Sequence, residues 1–78
     1  MSWNYRVLRY KDGCVGIHEV YYDEDGRPEG CTERPVGPVG DDVGGLRGTL
    51  SAMLYAIDEP ELDYDRFGSS LHKSDTHE

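Results

Sequence analysis

The fold turns on residues 3–22, WNYRVLRYKDGCVGIHEVYY. Trp3, Tyr5 and Val7 alternate with Asn4, Arg6 and Leu8, and Val15 to Tyr22 is again rich in β-branched and aromatic residues, so both runs read as strands. Between them, Asp12-Gly13 matches a two-residue type I′ hairpin turn. Such a turn sets Trp3 opposite Tyr22, Tyr5 opposite Val20 and Val7 opposite His18. That face is assigned to the core. Leu8, Tyr10, Val15 and Ile17, mixed with Arg6, Glu19, Thr32 and Arg34, take the other face, toward solvent or a partner. A slip of one residue would exchange the two faces.

Working outward, Asp23-Glu24-Asp25-Gly26 supplies a second turn, and Arg27 to Arg34 returns as a third strand with Cys31 opposite Val20 and Glu33 opposite His18. The doubled Pro-Val-Gly of residues 35–40 ends the sheet, because proline removes a ladder donor. Asp41 or Asp42 then caps a helix over residues 42 to 57, on which Val43, Leu46, Leu50, Leu54 and Ile57 recur at helical spacing. Glu59-Pro60 stops it, and Leu62 with Tyr64 offers a short fourth strand. The predicted fold is α+β: a three-stranded antiparallel meander, with room for that fourth strand, covered on one face by the helix. Residues 1–65 form the single domain, and 66–78, poor in apolar anchors, are expected to be a disordered tail.

A chain of 78 residues with a net charge of −8 holds one small domain and no large enzyme fold. Fourteen of its acids lie between residues 12 and 65, against Arg27, Arg34 and Arg47, whereas residues 1–11 carry Arg6, Arg9 and Lys11 with no acid. The acidity therefore belongs to the folded body. It disfavours direct contact with nucleic acid or an anionic membrane and favours a basic protein partner. The absence of a long apolar run predicts a cytoplasmic protein, with Cys14 and Cys31 reduced and too far apart to bridge.

Motifs for catalysis or ligand binding fail on spacing. Asp23, Asp25 and Gly26 suggest part of a calcium loop, but Tyr21 and Thr32 stand where its outer ligands belong. No glycine pattern matches a phosphate loop. His18 opposite Glu33 could form an acid/base pair, yet a plain cross-strand contact accounts for it, and His72 and His77 lie in the tail. No catalytic residue, cofactor or metal site is expected.

Candidate partner-binding residues come from two other features. Gly44, Gly45 and Gly48 cost the helix roughly 0.8 to 1 kcal/mol each relative to alanine. Gly44, Gly48, Ser51 and Tyr55 share one stripe, which reads either as a weak helix rescued by packing or as a smooth groove ending on Tyr55 as an anchor. Asp58, Glu59, Glu61, Asp63 and Asp65, interleaved with Leu62 and Tyr64, form either a solvated flank or a ridge whose carboxylates imitate a phosphate backbone. Asp23, Glu24 and Asp25 make a second acidic knot at the hairpin tip.

Trp3-Asn4-Tyr5-Arg6-Val7, the segment Gly16-Ile17-His18-Glu19-Val20-Tyr21-Tyr22-Asp23 and the stretch from Glu59-Pro60 to Leu62-Asp63-Tyr64 resemble a group of small bacterial proteins with no assigned function. More distantly, the three strands, the Pro28-Glu29-Gly30-Cys31 step and the capped helix resemble the N-terminal domain of HicB-type antitoxins. That second resemblance implies binding to a small basic RNA-cleaving toxin. It departs at Val43-Gly44-Gly45, where the family has a threonine followed by acids, and the 18 residues after Pro60 leave no room for the family's DNA-binding segment. Together these features predict a non-enzymatic acidic binding module. It would dock on a basic nucleic-acid-handling protein and inhibit or regulate it, as an antitoxin or a phage-type inhibitor does. The alternative is a homo-oligomer, with the Leu8/Tyr10/Ile17 face or the third strand's edge pairing to a second copy.

Overall fold

A computed structural model describes residues 2–67. Strands β1 (Ser2–Arg9), β2 (Val15–Tyr22) and β3 (Pro28–Cys31) precede helix α1 (Val43–Ile57), strand β4 (Leu62–Asp63) and a 3-10 turn at Tyr64–Phe67. The sheet order is β3-β2-β1-β4, with β4 parallel to β1 and the other pairs antiparallel. The α+β meander with a short fourth strand is thus the observed fold.

The first turn is not the expected type I′. Gly13 donates to the Tyr10 carbonyl and Tyr10 to the Cys14 carbonyl, both at 2.9 Å, while Gly13 has φ of 92° and no non-glycine residue has positive φ. The loop is therefore Lys11-Asp12-Gly13, a tight turn closed by one left-handed glycine. Asp12 keeps ordinary φ and its Oδ1 accepts the Cys14 N–H at 2.9 Å. One extra loop residue moves the register, so Trp3 opposes Tyr21, Tyr5 opposes Glu19 and Val7 opposes Ile17. This corrects the expected pairing and re-sorts the faces: Val20 and Tyr22 leave the Trp3/Tyr5/Val7 side and join Leu8.

The second turn repeats the pattern. Gly26 donates to the Asp23 carbonyl at 3.0 Å, Asp23 to the Arg27 carbonyl at 2.9 Å, and Gly26 has φ of 81°. Tyr22 consequently meets Pro28, but a bulge absorbs Glu29 and restores the predicted match of Val20 with Cys31.

The sheet is covered on both sides. On one, Leu8, Val20, Cys31 and Phe67 are buried together, with Tyr22, Leu62 and Tyr64 packed around them. Arg66 and Phe67 accordingly belong to the folded body, which corrects the boundary at residue 65; the rest of the expected tail, 68–78, lies outside the described residues. On the other side, Val7 is buried, as are Met53 and Ala56 of α1.

Helix α1 begins where expected, with the Asp42 carboxylate accepting the Gly45 N–H at 2.8 Å. Its orientation differs from the periodicity reading. Met53 and Ala56 are buried and Leu46 and Thr49 half-buried, whereas Val43, Leu50, Leu54 and Ile57 stand exposed. The incoming loop fixes this rotation. Thr49 Oγ1 donates to the Val39 carbonyl at 2.9 Å, and a Cβ on Gly40 would run into the backbone of Gly45 and Leu46. With the loop pressed against the first turns, Leu46, Thr49, Met53 and Ala56 face inward and Val43, Leu50, Leu54 and Ile57 point away.

Candidate functional site

The acidic run after α1 is strapped to the basic first strand rather than free along its length. Asp58 caps the helix through its own N–H, which bonds the Tyr55 carbonyl at 3.1 Å. Arg6 donates to the Pro60 carbonyl at 2.7 Å, and Arg9 pairs with Glu61 at 3.1 Å, both side chains about half exposed. Asp63 Oδ1 accepts the Asp65 N–H at 3.0 Å. Tyr64 turns inward, donating to the Glu33 carbonyl at 3.0 Å and lying edge-on to Tyr10. The outward carboxylates of the run are therefore Asp58, Glu59 and Asp65, with Glu61 already answered by Arg9.

At the hairpin tip, the Asp23 carboxylate accepts the N–H groups of Asp25 and Arg27 at 2.9 Å, a turn-forming role. Glu24 and Asp25 are exposed and, with Tyr22, Asp23 and Glu29, line an acidic cleft of about 430 Å³. Tyr55 is exposed, as the anchor reading requires, but Gly48 meets nothing within 4 Å and forms no close backbone approach within the domain.

Beside the outward acids are two features that sequence reasoning placed differently. Trp3, Asn4 and Tyr5 of β1 face Ala52 and Tyr55 of α1 and Glu59 across an open pocket of about 540 Å³. Trp3 and Tyr5 were expected in the core. Instead the Trp3 and Tyr5 rings lie 5.2 Å apart at 89°, and Trp3 remains 50% exposed at the open end of the space between β1 and α1. On the far flank of α1, Leu50, Leu54 and Ile57 form an apolar groove with Ile17, Val36 and Pro38. The wide residues of the helix period carried the signal for this groove. What sequence lacked was the sense of the helix rotation.

The buried polar centre is His18, fully enclosed. Its Nδ1 meets the Thr32 carbonyl at 2.9 Å, so Nδ1 carries the proton and Nε2 accepts the Tyr10 hydroxyl at 2.7 Å. Both ring nitrogens are occupied, by Tyr10 and Thr32, which leaves neither for an acid/base pair with the Glu33 carboxylate. Gly16 makes this possible, since a Cβ there would collide with the Tyr10 hydroxyl. Burial pushes the His18 pKa down, partly offset by the Thr32 carbonyl, and burial raises the Cys31 thiol to about 11. Neither group is placed to attack a substrate: the imidazole has no exposed surface and the thiol stays protonated.

Among the described residues, no three His, Cys, Asp or Glu side chains gather to hold a metal ion, and no helix is long and apolar enough to cross a membrane. Compared with protein-family models, with curated proteins and with solved structures, the chain matches none.

Proposed function

We propose that this chain is a non-enzymatic binding module that docks through the outer side of α1 on a basic, nucleic-acid-handling protein and inhibits or regulates it. One observation carries the reading: the exposed apolar stripe of Leu50, Leu54 and Ile57 lies between acids at both helix ends, Asp41 and Asp42 before it and Asp58 and Glu59 after it. Apolar area supplies affinity, and the flanking carboxylates select a partner with Lys and Arg around an apolar centre. A protein that grips phosphates has such basic groups already, and carboxylates can take the phosphates' places.

Capture from the source cell after nuclease treatment tests this, with the wild-type chain and with a variant neutralised at Asp41, Asp58 and Glu59, the flanking acids that do not cap the helix through a carboxylate. The wild type retains a basic protein, and the variant retains it weakly and with a shallower salt dependence. Equal retention by both overturns the reading.

The exposed stripe also fits a second copy of the chain, packed antiparallel about Leu50 with Val43 opposite Ile57. That arrangement brings Asp42 of one copy toward Asp58 of the other, so like charges oppose it. Association that rises with protein concentration and ignores salt would favour the dimer.

A further inference from the structure

The pocket between the start of β1 and the end of α1 points to a more specific recognition element, which rests on the docking reading above. We propose that it receives one arginine side chain of the partner, held by the Trp3, Tyr5 and Tyr55 rings and by the Glu59 carboxylate.

Three features select a cation. First, the walls are aromatic: Trp3 and Tyr5 from the strand, Tyr55 from the helix, with Ala52 contributing only a methyl. Ring faces attract ammonium and guanidinium groups through the aromatic quadrupole. Trp3 and Tyr5 meet edge to face at 89°, with centroids 5.2 Å apart, which fixes the two rings as an open corner rather than a flat stack. Second, Glu59 sits at the end of this wall and supplies a full negative charge where a guanidinium lying on a ring can also donate hydrogen bonds. Third, the strand's own bases are committed elsewhere, Arg6 to Pro60 and Tyr22 and Arg9 to Glu61, and none lines the pocket among the described residues. The Asn4 side chain is also engaged, accepting the Tyr22 hydroxyl at 2.8 Å, which leaves the carboxylate and the rings to meet the ligand.

Arginine fits better than lysine. Its planar group lies flat on an aromatic face while its edge donates to a carboxylate, and it carries a thinner hydration shell into a pocket of about 540 Å³. An apolar occupant would leave Glu59 without a partner and belongs on the aliphatic flank of α1 instead.

Trp3 is the only tryptophan in the chain, so its fluorescence reads this pocket directly. The full-length protein is titrated with a capped Gly-Arg-Gly peptide and with its citrulline counterpart, which keeps the shape and loses the charge. The arginine peptide is expected to give a saturable Trp3 response, at about tenfold lower concentration than citrulline. Tyr55→Ala and Glu59→Gln are each expected to weaken it by roughly fivefold to tenfold, and Glu33→Gln, on the exposed third-strand side, to leave it unchanged. Tyr55 is 69% exposed, so its replacement leaves the fold intact. An unresponsive Trp3, or equal responses to the two peptides, overturns the proposal. Partner capture separates the two ideas. A partner retained equally by wild type and Tyr55→Ala, with no peptide response, removes the pocket and leaves the docking; a peptide response with no partner retained removes the docking and leaves the pocket.

Discussion

His18 shows how one buried side chain ties stability to pH. Its pKa in the fold lies below the ordinary value because burial penalises the imidazolium, so the folded chain resists a proton that the unfolded chain takes up near pH 6.5. The unfolded state then binds more protons, and stability falls as pH drops below about 6.5. Urea midpoints measured from pH 8 to pH 5 are expected to fall across that window in the wild type and to fall less in His18→Gln. Equal slopes would show that His18 is not the titrating group. Little of this was legible beforehand: His18 was recognised as a strand residue, but the Tyr10 and Thr32 partners depend on Gly16 leaving space for a hydroxyl.

At the level of elements, two glycines in and beside α1 make opposite predictions. Gly48 faces open space, so Gly48→Ala is expected to stabilise the domain by about 1 kcal/mol through helix propensity alone. Gly40 abuts the helix backbone, and Gly40→Ala is expected to destabilise by about 1–3 kcal/mol because neither side can yield cheaply. Chemical denaturation of both variants checks the pair. The strands, the helix and its cap were all readable from periodicity and turn residues. The register was not. Lys11-Asp12-Gly13 and Glu24-Asp25-Gly26 both contain the Asp-Gly signal, and only the bonds of Tyr10 with Cys14 and Asp23 with Arg27 show that each loop holds three residues. At the first turn that single residue moved Val20 to the far side of the sheet and left Trp3 and Tyr5 on the side α1 partly covers. In α1 the spacing of apolar residues marks the helix but not its rotation, which the tethers at Thr49 and Gly40 set so that Met53 and Ala56 are buried and Leu50, Leu54 and Ile57 are not.

Across the whole molecule, a thin sheet carries a small apolar layer on each face, and each layer depends on few residues. Phe67 anchors the layer opposite α1. Phe67→Ala is expected to cost about 3–5 kcal/mol, a large part of the total for a domain of this size, and to leave a substantially unfolded chain at 37 °C by circular dichroism. The candidate surface shows the same economy. Asp58, Glu59 and Tyr55 were visible in the sequence as acids and an exposed aromatic, whereas the Trp3/Tyr5 corner emerges only when β1 and the end of α1 are brought side by side.

The parallel pairing of Leu8 with Leu62 makes β1 wait for β4, more than fifty residues further along the chain. Until Phe67 has cleared the ribosome, Leu8 and Val20 lack their cover, and the emerging chain offers a half-built sheet to the crowded cell. A chain of this design matures in one step, once Leu62 and Phe67 can dock, rather than progressively as each element appears.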